Sequence, residues 1–172
     1  MFRPHLLVIG GTGFIGYHLA LAAIKKGWKV TSVSLNKPKK FRFVEGVRYL
    51  KINISNLKKL KKKLNYSFTY VVNLGGYVDH SLSKKKGDAI INTHFVGLTN
   101  LISALANKKI KKFIQIGSSV EYGKIKAPQS ESDHCSPKSL YAMSKLASTE
   151  FLLMLYNTKK FPATILRFFQ IY

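Results

Sequence analysis

The sequence predicts an α/β fold built on a doubly wound parallel sheet. Two observations support this prediction. Short apolar runs alternate along the chain with stretches of helical periodicity, and a glycine-rich segment, GGTGFIG at 10–16, follows the first apolar run. Alternating strands and helices form parallel sheets that carry helices on both faces. Ligands bind such sheets at the carboxyl ends of the strands, so functional residues are expected there.

The predicted strands and helices follow one another regularly. Runs rich in apolar and β-branched residues are predicted as strands at 5–9, 29–35, 47–52, 69–75, 111–117 and 163–169. Segments with apolar residues at helical spacing are predicted as helices at 14–26, 57–64, 88–107 and 139–157. With 172 residues and no interdomain linker, one domain is expected over 1–172.

Composition narrows the class of protein. Apolar residues make up 46% of the chain, which favours a globular protein over a disordered one. No apolar run is long enough to span a bilayer. The five histidines show no ligand-like spacing, so no metal site is predicted. Cys135 is the only cysteine, which excludes an intrachain disulfide and favours a reducing, cytoplasmic location.

The net charge of +22, from 29 basic and 7 acidic residues, is unusually high. The preferred interpretation is a set of solvated helix ends and loops in a lysine-rich composition. The alternative is attraction to polyanions such as nucleic acid or an anionic membrane surface. Only four of the basic residues are arginine, the residue favoured for bidentate recognition, so any nucleic-acid binding is expected to be nonspecific.

The glycine-rich segment has the spacing of a dinucleotide-binding loop. Gly10 permits a tight turn, Gly13 lets the backbone approach a diphosphate, and Gly16 permits close packing of helix on strand. The helix that follows offers free N–H groups and a positive dipole to an anion. The alternative is a strand-to-helix turn without a ligand. The position after the first strand of an alternating chain favours a cofactor.

The end of the second strand normally decides between NAD and NADP, because an acidic residue there binds the ribose 2′-hydroxyl of NAD. No Asp or Glu is present at 33–40. Ser34, Asn36 and Lys37 are instead suited to a 2′-phosphate, which favours NADP. The alternative is that Lys37 belongs to the general lysine excess and that the cofactor is NAD.

A tyrosine and a lysine four residues apart supply candidate acid–base chemistry. Tyr141 and Lys145 share one face of the predicted helix 139–157. An adjacent ammonium lowers the pKa of a phenol, so Tyr141 is expected to exchange a proton with a substrate oxygen. Ser118 follows the strand at 111–117 and is placed to hydrogen-bond the same oxygen. Tyr-x-x-x-Lys occurs often by chance, so the motif is significant only together with the candidate Ser118 and the glycine-rich segment.

Taken in order, these motifs resemble the extended short-chain dehydrogenase/reductase family. Within it, the chain is most similar to the NAD(P)-dependent nucleotide-sugar epimerases, dehydratases and 4-keto reductases. The similarity covers the whole chain. It is carried by GGTGFIG at 10–16, NLGG at 73–76, INTHFVGLTNLISAL at 91–105, SSVEYG at 118–123, YAMSK at 141–145 and LRFFQIY at 166–172.

The resemblance implies a role for each matching residue. Ser118, Tyr141 and Lys145 would be catalytic, with Tyr141 as acid/base and Lys145 bound to the nicotinamide ribose. Gly10, Gly13, Phe14, Ile15 and Gly16 would hold the pyrophosphate. The remaining implied cofactor contacts are Asn53 and Ile54 at the adenine, Leu74, Gly75 and Gly76 at the ribose and nicotinamide, and Asn92 through the central helix.

The resemblance also implies a Rossmann-type domain that transfers hydride at a sugar carbon, as an epimerase or a 4-keto-sugar reductase. Family members are longer, so the 172 residues correspond to a chain truncated before the C-terminal substrate domain. A homodimer through helices 88–107 and 139–157 is implied.

Family dehydratases carry Asp-Glu after the catalytic hydroxyl residue, where this chain has Ser119 and Val120. The alternative function is a non-catalytic NAD(P) sensor or RNA-associated protein.

Overall fold

The computed structural model describes residues 2–76 and 84–171. Its six strands form one parallel sheet in the order β3-β2-β1-β4-β5-β6, which confirms the predicted doubly wound fold. The order reverses between β1 and β4, and ligands bind at such a switch point. The strands are β1 His5–Ile9, β2 Lys29–Ser34, β3 Val47–Lys51, β4 Tyr70–Asn73, β5 Lys112–Ser118 and β6 Ala163–Phe168.

Helices cover the sheet, and several begin at recognisable caps. The Asn56 side chain accepts from the Lys59 N–H to begin α2, and the Ser139 side chain accepts from the Ala142 N–H to begin α5. The helices are α1 Phe14–Lys25, α2 Leu57–Lys63, α3 Lys84–Ile91, α4 Gly97–Leu105 and α5 Leu140–Lys159, with a π-helical segment at Asn92–Val96 and 3₁₀ turns at Lys40–Arg42 and Ser119–Glu121.

The core has two layers because successive strand residues point to opposite faces. Leu7 and Ile9 of β1 pack with α2, α4 and α5 on one face. Leu6 and Val8 pack against α1 on the other. This two-sided burial explains why the central strands are apolar runs rather than alternating patterns.

Three predicted boundaries differ from the structure near the switch point. The fourth strand ends at Asn73, so residues 74–76 form a loop. The predicted helix 88–107 begins at Lys84, ends at Leu105 and contains the π-helical segment. Ser118 is the last residue of β5 rather than the first residue after it. Within the described residues, no helix has both the length and the apolarity that crossing a membrane requires.

Candidate cofactor and catalytic site

The glycine loop joins β1 to α1 in a conformation that depends on its glycines. Gly10 adopts φ +79°, which side-chain-bearing residues rarely adopt, and its N–H donates to the Val33 carbonyl at 2.7 Å. A Cβ at Gly16 would collide with the Gly10 carbonyl, so the helix can lie directly on the loop. Gly13 is the N-cap and no side chain caps α1. The first-turn N–H groups, with Phe14 and Ile15, are therefore directed toward an incoming anion.

A cavity of about 290 Å³ opens beside this loop, at the carboxyl ends of β1, β2 and β4. Its position at the switch point fits a dinucleotide. Glycine is required at Gly10 and Gly75 in its wall, because a Cβ at either position would press on neighbouring atoms of the protein. Thr12 and Thr93 also line it and were not singled out from the sequence. The predicted cofactor residues that line it are Gly10, Gly13, Ser34, Asn36, Asn53, Ile54, Leu74, Gly75 and Gly76.

Two side-chain amides, from the buried Asn73 and the half-buried Asn100, hold loops that line the cavity. Asn73 Nδ2 donates to Gln115 Oε1 at 2.8 Å, and Asn73 Oδ1 accepts from the Gly75 N–H at 3.1 Å. Asn100 Nδ2 donates to the carbonyls of Ile54 and Ser55, at 3.1 and 3.0 Å. These bonds fix the loops that carry the predicted adenine and ribose contacts. A polar residue ending a buried strand, as Asn73 does, was the available sequence signal.

The three predicted catalytic residues come together at the end of β5. The Ser118 and Tyr141 side chains share a hydrogen bond. Lys145 lies one helical turn beyond Tyr141, with its Nζ 5.8 Å from the centre of the tyrosine ring. The Lys145 Nζ donates to the Ile116 carbonyl at 2.8 Å, which anchors the side chain to β5. The arrangement presents a hydroxyl pair to one reacting oxygen, with an amine behind it.

Burial sets the charge state of the lysine. Lys145 is only 5% exposed, and burial lowers its pKa from 10.5 to about 8. The negative charge of Glu121 acts in the opposite direction and favours the protonated amine. Lys145 is therefore mainly protonated at neutral pH but can lose its proton within the physiological range.

The pKa of Tyr141 differs from the expectation based on Lys145 alone. Burial raises it above its ordinary value, the Ser118 hydrogen bond lowers it, and the Glu121 charge raises it further. The expected lowering of the pKa by the adjacent ammonium is therefore not observed, and desolvation of the phenolate is the largest effect. Tyr141 therefore keeps its proton at neutral pH.

Glu121 organises the site although it does not face the cofactor cavity. It is fully buried, and its Oε1 accepts from the Ser118 N–H at 2.7 Å. Its Oε2 accepts from the Thr149 hydroxyl at 2.8 Å and from Arg167 Nε at 3.1 Å. Arg167 also donates to the Tyr122 hydroxyl at 3.1 Å. The carboxylate therefore links β5, β6 and α5 and fixes the backbone of Ser118.

Asn92, which the resemblance implies supports the cofactor site through the central helix, lies in the π-helical segment. Its side chain is exposed, it does not line the cofactor cavity, and its carbonyl accepts from the Ser55 hydroxyl at 2.9 Å. His94 is instead buried, with its ring 5.1 Å from that of Tyr141 in an edge-to-face arrangement. A Cβ at Gly76 would press on the His94 ring. The π-helical segment thus directs His94 to the junction of the catalytic group and the cavity.

Other surfaces lie apart from this site. Lys37 lines a neighbouring cavity of about 230 Å³ rather than the cofactor cavity. A larger cavity of about 640 Å³ lies between α5 and β6 and has no glycine-loop residue in its wall. No cluster of three or more His, Cys, Asp or Glu side chains suited to a metal occurs in the described part of the chain.

The family model described as the NAD dependent epimerase/dehydratase family matches residues 6–172. The chain is 31% identical to UDP-N-acetyl-alpha-D-glucosaminuronate decarboxylase of Bacillus cytotoxicus, over 99% of this chain and 55% of the relative. It is 30% identical to UDP-glucuronate 4-epimerase 1 of Arabidopsis thaliana, over 97% of this chain and 42% of the relative. The chain thus spans about half the length of these curated relatives.

A solved structure shares the fold. The UDP-glucuronic acid 4-epimerase of Bacillus cereus, in complex with UDP-glucuronic acid and NAD, superposes with a TM-score of 0.85 at 24% identity. The match covers 98% of this chain and 57% of that one.

Proposed function

The chain belongs to the NAD dependent epimerase/dehydratase family, and from that premise we propose that it is the cofactor-binding and catalytic part of a nucleotide-sugar epimerase or 4-keto-sugar reductase. The observation that carries the proposal is the Ser118–Tyr141–Lys145 group at the carboxyl edge of the sheet. His94 joins that group to the glycine-lined cavity, because it contacts the Tyr141 ring and adjoins Gly76.

The cofactor would be NADP or NAD, with NADP favoured because no carboxylate lines the cavity at the end of β2. The bound nicotinamide supplies hydride transfer to and from a sugar carbon. Gly10, Gly13 and the uncapped start of α1 hold the pyrophosphate. Asn53 and Ile54 lie where the adenine would bind.

Proton transfer to and from the sugar oxygen is assigned to Tyr141, Ser118 and Lys145. Tyr141, whose pKa is raised, keeps its proton until a sugar oxygen is in place, and Ser118 donates to or accepts from the same oxygen. Lys145 holds positive charge behind Tyr141 and favours the phenolate once the proton has left. The same residues serve proton transfer in either direction, so epimerisation and net reduction use one set.

The proposed substrates are nucleoside-diphosphate sugars, since curated relatives are named for UDP-uronic acids. The rival function, a non-catalytic sensor or RNA-associated protein, receives no support from the arrangement of Ser118, Tyr141 and Lys145. A protein that only binds has no need of a buried amine behind a half-buried phenol.

A homodimer through α3, α4 and α5 belongs to the same proposal. Leu140, Met143 and Met154 expose apolar side chains on α5, and Ile91 does so on α3. Exposed apolar stripes on neighbouring helices are suited to a four-helix contact between two copies.

The test is turnover of UDP-uronic acids by wild-type protein and by Tyr141→Phe, with cofactor affinity measured in parallel. Tyr141→Phe removes one oxygen and keeps the ring against His94. We expect turnover to fall about 10²-fold or more while cofactor affinity is retained. Tyr156→Phe removes an exposed hydroxyl from the same helix and is the matched control. Full turnover in Tyr141→Phe would contradict the proposed acid–base role.

A further inference from the structure

A short basic and aromatic turn, residues 39–43, lies in the connection between β2 and β3, the edge strand of the sheet. Its sequence, KKFRF, combines three cations with two phenylalanines. Phe41 is 68% exposed and Phe43 is 59% exposed, so two large apolar side chains face solvent within three residues. Exposed apolar residues that stand alone are ordinary, whereas two together among cations point to a contact surface.

The fold holds this turn in place. Lys40–Arg42 form a 3₁₀ turn with Phe41 at its centre. Shortly after it, Val44 is buried, and its N–H donates to the Tyr49 hydroxyl of β3 at 3.0 Å. The turn is thus tied to the edge strand, and the exposure of Phe41 follows from the folded backbone.

The basic–aromatic turn is separate from the proposed cofactor site. Lys39, Lys40, Phe41 and Arg42 line neither the cofactor cavity nor the neighbouring cavity that contains Lys37. A dinucleotide on the glycine loop therefore leaves their charges and the Phe41 ring exposed.

Two cations lie over the ring of Phe41. Lys39 Nζ is 5.9 Å from the ring centre, and the guanidinium carbon of Arg42 is 5.4 Å from it. A nucleic-acid base would have to stack on the ring face, where it competes with these cations. Insertion among lipid headgroups requires no free ring face, and it places the cations at the level of the lipid phosphates. The arrangement favours a lipid surface over nucleic acid.

The charge of the surrounding chain is strongly one-sided. Residues 39–63 include ten Lys and Arg, and Glu45 is their only acidic residue. Half of the ten are exposed lysines of α2, whose Leu60 is buried in the core. Anionic lipid headgroups attract polybasic segments of this kind over about one Debye length.

We propose that the basic–aromatic turn binds an anionic membrane surface, with Phe41 inserted among the headgroups and Lys39, Lys40 and Arg42 at the lipid phosphates. The proposal does not depend on the proposed function, because none of these four residues belongs to the catalytic group or the cofactor cavity. It assigns a role to part of the lysine excess.

The first experiment is co-sedimentation of the whole chain with vesicles of phosphatidylcholine, with or without roughly 30% phosphatidylserine. Wild-type protein should bind only the anionic vesicles. A cation at such a surface contributes about fivefold to affinity, so Lys39→Gln combined with Lys40→Gln should weaken binding about 25-fold. Lys124→Gln combined with Lys126→Gln removes the same charge from exposed positions after β5 and is the matched control, expected to change affinity less than about threefold.

The second experiment tests insertion of the ring. Phe41→Ala should weaken binding to anionic vesicles about tenfold, because an apolar side chain of this size leaves water on insertion. Phe2→Ala removes an equally exposed phenylalanine that precedes β1 and should have no effect. In Phe41→Trp, anionic vesicles should shift the added emission to the blue and brominated lipids should quench it, with wild type giving the contribution of Trp28.

Three results would overturn the proposal. The first is an equal loss of vesicle binding in the two double lysine variants or in the two phenylalanine variants. The second is tighter binding of wild type to single-stranded RNA than to anionic vesicles, with a Phe41→Ala defect on RNA alone, which would assign the turn to nucleic acid. The third is a Phe41→Ala sedimentation profile that changes without vesicles, which would assign Phe41 to a contact between copies. Loss of turnover in Tyr141→Phe with vesicle binding retained would show that the two sites are independent.

Discussion

Replacement of Lys145 by methionine should make the protein more stable at neutral pH while removing its proposed catalytic amine. Lys145 is 5% exposed, and its pKa falls from 10.5 to about 8. At about 1.4 kcal/mol per pKa unit, keeping this amine protonated in the folded protein costs about 3 kcal/mol. Methionine has a similar shape and no charge to desolvate.

One lost hydrogen bond reduces this gain. Lys145 Nζ donates to the Ile116 carbonyl, but Gln115 Nε2 donates to the same carbonyl at 3.2 Å, so the acceptor keeps a partner. A loss of about 1 kcal/mol for the bond leaves a net stabilisation of about 2 kcal/mol in Lys145→Met. Such a gain with loss of function is typical of sites whose chemistry requires a costly group.

The pH dependence has a definite sign. Because the folded-state pKa lies below the unfolded value, the cost of the protonated lysine is fully present below pH of about 8. Above that pH the folded protein releases the proton first, so wild-type stability rises until the unfolded-state pKa of 10.5 is passed. The advantage of Lys145→Met should therefore shrink as the pH rises through this window.

The assay is urea unfolding of wild type and Lys145→Met at neutral pH and at roughly pH 9.5, near the upper part of the window. Lys138→Met removes an exposed lysine just before α5 and is the control, expected to change stability by less than about 0.5 kcal/mol. A destabilised Lys145→Met at neutral pH, or a difference from wild type that does not vary with pH, would refute the reasoning.

Three further predictions follow from the same contacts. Glu121→Ala removes a carboxylate that accepts from the Ser118 N–H, the Thr149 hydroxyl and Arg167 Nε, and should cost about 3 kcal/mol in urea unfolding, against less than about 0.5 kcal/mol for the exposed Glu150→Ala. Gly16→Ala should lower the affinity for either dinucleotide at least about tenfold, because the added Cβ pushes α1 off the loop. Gly27→Ala should change only the Tm, because Gly27 is remote from the cavity. Equal cofactor affinities in the two variants would contradict the loop's role. Met143→Glu should shift the sedimentation of the protein from dimer to monomer, and an unchanged profile would remove α5 from the interface.

The sequence was a good guide wherever a feature depends on local pattern. The apolar runs at 5–9 and 163–169 became strands, and the glycine spacing placed the loop at the start of α1. Ser118, Tyr141 and Lys145 came together as their order along a parallel sheet implied, because residues that end a strand and begin the next helix share one edge.

Features that depend on contacts between residues far apart in the sequence were not predicted. The pairing of Glu121 with Arg167 spans 46 residues, and no local sequence pattern marks this carboxylate as buried. The π-helical segment shifts the register of the central helix, which exposes Asn92 and buries His94. The raised pKa of Tyr141 depends on burial, which no local spacing reveals.

The most direct test of the account is a crystal structure of the chain with NADPH or NADH bound. The account predicts that the pyrophosphate lies on Gly10 and Gly13, that the adenine lies beside Asn53, and that the nicotinamide end reaches Tyr141 and Lys145. A dinucleotide seated in the cavity between α5 and β6, or one whose nicotinamide points away from Tyr141, would contradict it.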